Sequence, residues 1–210
     1  MARRSRCGLA LEEELHRQGF RRVAGVDEVG RGALFGPVVA AAVIIDGPAH
    51  PALDDSKLLT PAARKELALW VMKRTRFAVA SASVAEIDRY NIRIATFEAM
   101  TRALRLLDPA PDFVLVDGYP ISRLDLPQEG VIGGDRTSAS IAAASIVAKV
   151  MRDHLMRLYA ERFPCYNLGQ NKGYGSVMHK EAIQRFGLTE HHRRSFCGSL
   201  DNRQLALGYA

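Results

Sequence analysis

The chain has 210 residues, of which 48% are hydrophobic and 25% charged, a composition that is typical of globular proteins and argues against intrinsic disorder. Its 29 lysines and arginines against 23 acidic residues leave a net charge of +6, which favours polyanionic partners such as nucleic acid without requiring one. The three cysteines are widely spaced and form no C-x-x-C motif, which argues against a disulfide framework or a zinc knuckle.

The amino-terminal region is basic and then helical in character over residues 9–20. Only three apolar residues precede a run of three glutamates, so the apolar core of a signal peptide is missing. The longest apolar run, residues 37–45, is far shorter than the roughly 20 residues that span a bilayer. We therefore expect a cytoplasmic protein without a membrane segment.

Two successive strands follow this region. The first covers residues 23–26 and runs into Asp27 and Glu28, and the glycines of residues 30–32 interrupt it. The second covers residues 38–45 and is apolar throughout, which predicts burial on both of its faces. The two strands are expected to form a hairpin.

Helices and strands alternate through the rest of the chain. The predicted elements, in chain order, are a helix over residues 62–73 that begins at Thr60-Pro61, a strand over 77–84, a helix from residue 92 that Pro109 and Pro111 close, a strand over 113–116, a long amphipathic helix over 138–159, a loop over 171–176 and a helix over 177–186 that ends at Gly187. This order indicates an α/β domain with a partly antiparallel sheet and a helical carboxy-terminal part. We expect one domain over residues 1–210, with its core at about 20–160 and the helical part at about 161–210.

Four carboxylates stand at positions that suggest more than a structural role. Asp27 and Glu28 directly follow the first strand, and Asp117 ends the strand over residues 113–116, so these acids can meet if the two strands are neighbours. Asp153 lies on the long helix, off its apolar stripe. The structural alternative for Asp27 and Glu28 is a solvated strand end, and the alternative for Asp117 is an Asx-type turn. For Asp153 it is a surface ion pair with Lys149.

Clustered carboxylates repel one another and stay ionised together mainly by binding cations. Oxygen-only ligands favour Mg²⁺ or Mn²⁺ over zinc or copper. Two such ions about 3.5–4 Å apart can activate water on one side of a phosphate and stabilise the leaving oxygen on the other. A carboxylate cluster here therefore predicts phosphodiester hydrolysis.

The stretch GVDEVGRG at residues 25–32, followed by GPVVA at 36–40, resembles the opening signature of the ribonuclease HII family. Further blocks follow in the family's order, so that the resemblance covers roughly residues 20–197. They are DSKL at 55–58, Asp88 with Asn91-Ile92, VDG at 116–118, Gly134-Asp135, IAAASIVAKV at 141–150, Arg152-Asp153, KGYGS at 172–176 with His179, and HRRSF at 192–196.

The resemblance implies a ribonuclease H-like fold, with a mixed central sheet flanked by helices. It also implies that Asp27, Glu28, Asp117 and Asp153 are the catalytic residues and hold two Mn²⁺ or Mg²⁺ ions. The implied reaction cuts on the 5′ side of ribonucleotides in RNA–DNA hybrids and in duplex DNA with embedded ribonucleotides. It leaves a 3′-hydroxyl and a 5′-phosphate without a covalent intermediate.

The substrate-binding residues that the resemblance implies are Gly30, Arg31, Gly32, Ser56, Lys57 and Tyr174. The glycine loop would sense the 2′-hydroxyl through its backbone, Tyr174 would contact the sugar at the RNA-to-DNA junction, and the serine and lysine would contact phosphates. Without the resemblance to the family, residues 30–32 would be interpreted as a tight hairpin loop, Tyr174 as an ordinary loop aromatic and Lys57 as a solvated lysine.

Several residues remain open at this point. Arg193 and Arg194 either extend the basic surface or form a solvated turn, and His191 and His192 are expected to be structural or surface residues because no partner ligand stands at zinc spacing. Gly133 and the sequence of residues 33–35 differ from many family members, which leaves the substrate affinity, rather than the chemistry, open.

Three alternatives to the nuclease are a catalytically weak nucleic-acid-binding module of the same fold, a purely structural basic protein and a member of the related ribonuclease HIII type. All four acids are present, which disfavours a degenerate binder. Only about 20 residues precede the first strand, which disfavours the HIII type, whose members usually carry an extra amino-terminal domain. We expect a monomer, and a replication-clamp partner stays open.

Overall fold

The structure is a computed structural model and describes residues 7–55, 59–198 and 200. Its strands are β1 (Val23–Val29), β2 (Val38–Ile44), β3 (Arg76–Ala82), β4 (Phe113–Asp117) and β5 (Gln128–Val131). In the described residues they form a five-stranded sheet in the order β3-β2-β1-β4-β5. β1 pairs antiparallel with β2 and parallel with β4, so the sheet is mixed, as the resemblance implies.

Helices cover both faces of the sheet. They are α1 (Ala10–Arg17), α2 (Pro61–Arg74), α3 (Val84–Tyr90), α4 (Ile92–Arg105), α5 (Ala139–Arg162), α6 (Leu168–Asn171), α7 (Val177–Phe186) and α8 (Arg194–Cys197). Met100 of α4 shares an apolar core with Val26 and Val116 on one face. Helices α2 and α5 contribute Val71 and Val147 to a second core on the other face.

β2 is buried on both faces, as its sequence predicts. All seven of its residues are buried. Alternate side chains belong to different cores, with Ala40 and Ala42 on the α4 side and Ala41 and Val43 on the α2–α5 side. The hairpin of β1 and β2 is also confirmed.

Some elements differ from the prediction. β1 continues through both acids to Val29 rather than ending at them. The strand expected over 77–84 stops at Ala82, because Ser83 caps α3: its hydroxyl accepts a hydrogen bond from Glu86 N at 3.2 Å, and the Glu86 carboxylate accepts one from Ser83 N at 2.8 Å. β5 was not predicted, since its four residues, QEGV, carry little apolar pattern.

The predicted helical carboxy-terminal part is present and packs around Phe35, in the connection between β1 and β2. Phe35 is fully buried, and its ring lies 5.3 Å from that of Tyr159 and 4.9 Å from that of His192. The stretch of residues 33–35, which differs from many family members, therefore contributes the Phe35 side chain to the core. Among the described residues, none of the helices has the length and apolar character to cross a membrane.

Candidate active site

Asp27 lies on the face of β1 that is packed against α5. Gly25, two residues earlier on the same face, is so close to the α5 backbone at Ser140 and Ile141 that no Cβ would fit. Asp27 is only 6% exposed, and the Ser145 side chain of α5 hydrogen-bonds to its carboxylate. The carboxylate is therefore held between the sheet and the long helix.

The environment of Asp27 is unfavourable for its charge. Burial, together with the neighbouring charges of Glu28 and Asp117, raises the pKa of Asp27 from its usual 3.8 to about 8. The hydrogen bond from Ser145 and a 2.6 Å hydrogen bond from Glu28 N to its Oδ1 oppose this rise. A nearby cation would restore the ionised form at neutral pH.

Glu28 faces the opposite side of the sheet and lines a cleft of about 460 Å³. The residues that line this acidic cleft are Glu28, Arg31, Arg93, Thr96, Phe97, Met100, Asp117, Gly118 and Tyr119. Burial raises the pKa of Glu28, and the charge of Asp117 adds to the rise. Arg31 opposes it, because its Nη1 lies 3.2 Å from Glu28 Oε1.

Asp117 ends β4, the strand that lies beside β1. The two strands run parallel with Val26 opposite Val116, so the next residue on each strand is an acid. Asp117 Oδ1 accepts a 2.8 Å hydrogen bond from the backbone N of Gly134. A Cβ at position 134 would lie 3.3 Å from this oxygen and 2.5 Å from Ile141, so glycine allows the close approach.

Asp153 is on α5, two turns beyond Ser145. Its Oδ1 is 2.7 Å from Lys149 Nζ, and both side chains are about two-thirds buried or more. The pairing with Lys149 that the sequence allows is therefore formed. The charge of Asp117 raises the pKa of both Asp27 and Glu28, and the charge of Glu28 also raises the pKa of Asp27, whereas Asp153 pairs with Lys149.

The donor chemistry of this region fits a hard divalent cation. Asp27, Glu28 and Asp117 offer only oxygen atoms, and the charge of Asp117 raises the pKa of both Asp27 and Glu28. Within residues 7–55, 59–198 and 200, however, no three His, Cys, Asp or Glu side chains are arranged closely enough to share one ion. Sharing of one ion by three of these acids would therefore require side-chain rotation.

The loop of residues 30–32 lies beside the acids. Gly30 has a φ of +91°, and a Cβ there would collide with the Arg152 guanidinium. Arg31 and Gly32 are exposed, and a Cβ on Gly32 would meet nothing within 4 Å. The loop thus presents backbone to solvent next to the cleft.

Tyr174 belongs to a second loop that contacts the first. The carbonyl of Gly173 accepts hydrogen bonds from Leu34 N at 2.8 Å and Phe35 N at 3.2 Å. The Tyr174 ring is 38% exposed and carries the Arg152 guanidinium 5.4 Å from its centroid. Ser56 and Lys57 lie outside the described residues.

One expectation from the sequence needs revision at the carboxy-terminal end. Arg193 is neither a surface cation nor part of a solvated turn, because it is fully buried, whereas Arg194 is exposed. His192 is structural, as one of the expected readings had it. It is 1% exposed, with its Nε2 3.3 Å from that of His179.

Sequence reasoning assigned no role to Ser145, Arg152 or Gly134. A signal was available for the first two. Both fall on the buried side of α5, at spacings of four and eleven residues from the buried Ile141, where polar side chains are unusual unless they have partners. Gly134 gave no such signal, because its contact with Asp117 depends on a loop closing over the end of β4.

The match to known proteins agrees with this geometry. The family model described as Ribonuclease HII matches residues 24–199. This chain belongs to the ribonuclease HII family. Ribonuclease HII from Ruegeria sp. (strain TM1040) is 52% identical over 190 residues, which cover 90% of this chain and 83% of the relative. The proteins of this family are metal-dependent endoribonucleases, and the resemblance drawn from the sequence is confirmed.

Solved structures confirm the ribonuclease H-like fold of this ribonuclease HII chain. The ribonuclease H2 of Pyrococcus horikoshii OT3 superposes with a TM-score of 0.71 at 24% identity, over 87% of this chain and 98% of that one. Ribonuclease HII of Archaeoglobus fulgidus, solved in a complex with PCNA, gives a TM-score of 0.69 at 26% identity, over 85% and 96% of the two chains.

Proposed function

We propose that this protein uses Asp27, Glu28, Asp117 and Asp153 to hydrolyse the phosphodiester on the 5′ side of ribonucleotides, both in RNA–DNA hybrids and within duplex DNA. The products would carry a 3′-hydroxyl and a 5′-phosphate. The observation that carries the proposal is the position of acids from β1 and β4 around one cleft, beside a loop with exposed backbone.

The four acids are the residues that would hold Mn²⁺ or Mg²⁺, with two ions in the active complex. When bound, such ions activate water and stabilise the leaving oxygen of a phosphodiester. The oxygen-only donors and the raised pKa values of Asp27 and Glu28, to which the charge of Asp117 contributes, support this assignment. Asp153 Oδ1 pairs with Lys149 Nζ, so a cation bound at Asp153 would compete with this ion pair.

The surrounding residues would keep the carboxylates in position. Ser145 orients Asp27 from α5, and the backbone N of Gly134 fixes one oxygen of Asp117. Arg31 is paired with Glu28 at 3.2 Å and is half exposed, so it can exchange this partner for a substrate phosphate. None of these groups forms a covalent bond to the substrate in the proposed reaction.

Selection of ribonucleotides would come from the two loops beside the acids. The exposed backbone at Gly32 can reach a sugar hydroxyl, the group that distinguishes RNA from DNA at one nucleotide. The half-exposed ring of Tyr174 can pack on the neighbouring sugar. Ser56 and Lys57 remain predicted phosphate contacts.

The proposal also includes the location, the oligomeric state and a protein partner of the enzyme. We infer a cytoplasmic protein on the basis of the cysteine pattern, and a monomer because the sequence contains no coiled-coil pattern and no evident apolar stripe for a partner. The Archaeoglobus fulgidus relative, solved with PCNA, supports a sliding-clamp partner for this chain as well.

A nicking assay tests the proposal. A DNA duplex with one ribonucleotide is incubated with Mn²⁺ or Mg²⁺ and with wild type, Asp27→Asn, Asp117→Asn or the exposed control Glu161→Gln. We expect one nick from wild type and from Glu161→Gln, and a loss of at least about a hundredfold in Asp27→Asn and Asp117→Asn, the usual scale for an electrostatic contact to the reacting group. Undiminished cutting by both aspartate variants, or equal cutting of an all-DNA duplex, would contradict the proposal.

A further inference from the structure

Two arginines in the interior bind the backbone of the loop beside the acids. Arg152 and Arg193 are both fully buried, which is unusual for a side chain that is almost always charged. A buried cation is costly unless its donors are well used, so the direction of its hydrogen bonds shows what it does in the fold.

Arg193 donates to the loop from the carboxy-terminal side. Its Nη1 lies 2.7 Å from the carbonyl of Arg31, and its Nε lies 2.9 Å from the carbonyl of Gly36. Its own backbone N donates to Leu34 O at 2.8 Å. One residue thereby fixes both ends of the segment 31–36.

Arg152 donates to the same segment from α5. Its guanidinium contacts the carbonyls of Phe35 at 3.2 Å, Pro37 at 3.3 Å and Lys172 at 2.8 Å. The same group lies against Gly30 and over the ring of Tyr174. Arg152 therefore joins the loop of residues 30–37 to the loop that carries Tyr174.

The contact to Arg31 has a consequence for Gly32. A peptide unit is planar and trans, so its N–H points opposite to its C=O. Because the Arg31 carbonyl points inward to a buried guanidinium, the Gly32 N–H of the same peptide points outward. Gly32 is exposed, with open space where a side chain would stand, so this donor is available to a ligand.

The pair is a poor arrangement for stability alone. Within the described part of the chain, Nη2 of Arg193 is buried without a hydrogen-bond partner. Burial and the nearby charge of Arg152 also lower the pKa of Arg193 to about 10, so two cations are held close together while both stay charged at neutral pH. Apolar side chains of similar size commonly replace buried charges without loss of stability.

We infer that Arg152 and Arg193 are positioning residues that hold the Arg31–Gly32 peptide in the orientation that discriminates ribonucleotides from deoxyribonucleotides. This inference rests on the proposed function. Neither arginine touches the substrate in this assignment, and their effect passes through the backbone that they bind.

The test compares two duplexes on the active enzyme. KM is measured for cleavage of a duplex with one ribonucleotide, and Ki for inhibition by an all-DNA duplex of the same sequence. The ratio of Ki to KM reports discrimination and does not change when a variant merely contains less folded protein. The variants are Arg193→Met, Arg152→Met and Arg193→Lys, with the exposed Arg157→Met of α5 as the control.

We expect Arg193→Met and Arg152→Met to lower the ratio about tenfold, the effect of losing roughly one well-oriented hydrogen bond to the substrate. Arg193→Lys should recover part of it, and Arg157→Met should leave it unchanged. If Arg193→Met does not fold, the ratio of Ki to KM is measured on Arg193→Lys instead. If neither variant folds, Arg193 serves stability alone and the inference is overturned. An unchanged ratio in folded variants would overturn it as well, whereas absence of any preference in wild type would instead refute the proposed function.

Discussion

Asp27 and Glu28 are neighbours in sequence, yet they lie on opposite faces of the sheet. Asp27 is directed at α5, where Ser145 hydrogen-bonds to it, and Glu28 lines the cleft that α4 helps to form, where Arg31 pairs with it. Side-chain alternation along β1 requires this separation, because the strand does not end at the acids. The two carboxylates therefore differ in burial and in counter-groups, and their ionisation should respond differently to mutation.

The substitution Asp27→Asn should stabilise the metal-free protein. The pKa of Asp27 is about 8 in the folded protein and 3.8 in an unfolded chain, so the folded state binds the extra proton between these values. Stability of the wild type is therefore lost as the pH rises from about 4 to about 8, and the advantage of the asparagine variant should grow over this range and then level off.

Thermal unfolding in EDTA at pH 5, 7 and 9 measures this effect, with the exposed Asp46→Asn as the control. Added Mn²⁺ should reverse the order by stabilising the wild type more than the variant. A difference between wild type and Asp27→Asn that does not change with pH would show that Asp27 is not destabilised in its buried site.

The substitution Gly30→Ala should disturb the loop beside the acids. Its backbone has a φ of +91°, and the new methyl group would meet the Arg152 guanidinium. We expect a loss of about 1–2 kcal/mol in the free energy of unfolding from the backbone alone, and a larger loss of cleavage activity. Gly47→Ala is the matched control, because nothing lies within 4 Å of its Cβ position, and a loss of equal size in both variants would contradict the argument.

Acid should weaken the carboxy-terminal part through His192. Burial, with the charges of His179 and His191, lowers the pKa of His192 from 6.5 to about 3. Between these values the unfolded chain binds a proton that the folded protein does not, so the free energy of unfolding falls as the pH drops below 6.5.

The loss in the free energy of unfolding that His192 causes is at most about 1.4 kcal/mol for each pH unit. Urea unfolding at pH 7 and pH 5 should show a smaller loss for His192→Gln than for wild type. The exposed His154→Gln should behave like wild type, and an identical loss in all three proteins would refute the role of His192.

Glu12 caps α5 from a distant helix. It is 3% exposed, and its Oε1 accepts hydrogen bonds from Ser140 N at 2.9 Å and from the hydroxyls of Ser138 and Ser140 at 2.7 and 2.6 Å. Glu12→Ala removes the acceptor that these three buried donors share and leaves the two hydroxyls, 3.1 Å apart, with each other, so we expect a loss of about 3 kcal/mol in the free energy of unfolding. The exposed neighbour Glu13→Ala should cost less than about 0.5 kcal/mol, and equal losses would argue against the tertiary cap.

Local patterns in the sequence predicted much of the fold. β2 follows from its apolar run, and the bounds of α7 follow from Ser176 at its start and Gly187 at its end. The capping box at Ser83 and Glu86 marks the start of α3, but the alternating pattern before it favours a strand that runs through residue 84. β5 is a short, partly exposed strand at the sheet edge, and its sequence hardly distinguishes it from a loop.

The candidate site was less accessible to local reasoning. That Asp117 stands beside Asp27 depends on the parallel pairing of β1 with β4, which joins residues about 90 positions apart. Arg193 shows the limit most clearly, since its sequence neighbours suggest a basic surface and only the tertiary fold places it under the loop of residues 31–36.

The most direct measurement is the position of the cut in a duplex that contains one ribonucleotide, with both product ends identified by mass spectrometry. We expect one cut on the 5′ side of the ribonucleotide, with an upstream strand that ends in a 3′-hydroxyl and a downstream strand that begins with a 5′-phosphate on the ribonucleotide. Cutting on the 3′ side, a 2′,3′-cyclic phosphate at the new end, or cuts spread over the deoxyribonucleotides would contradict it.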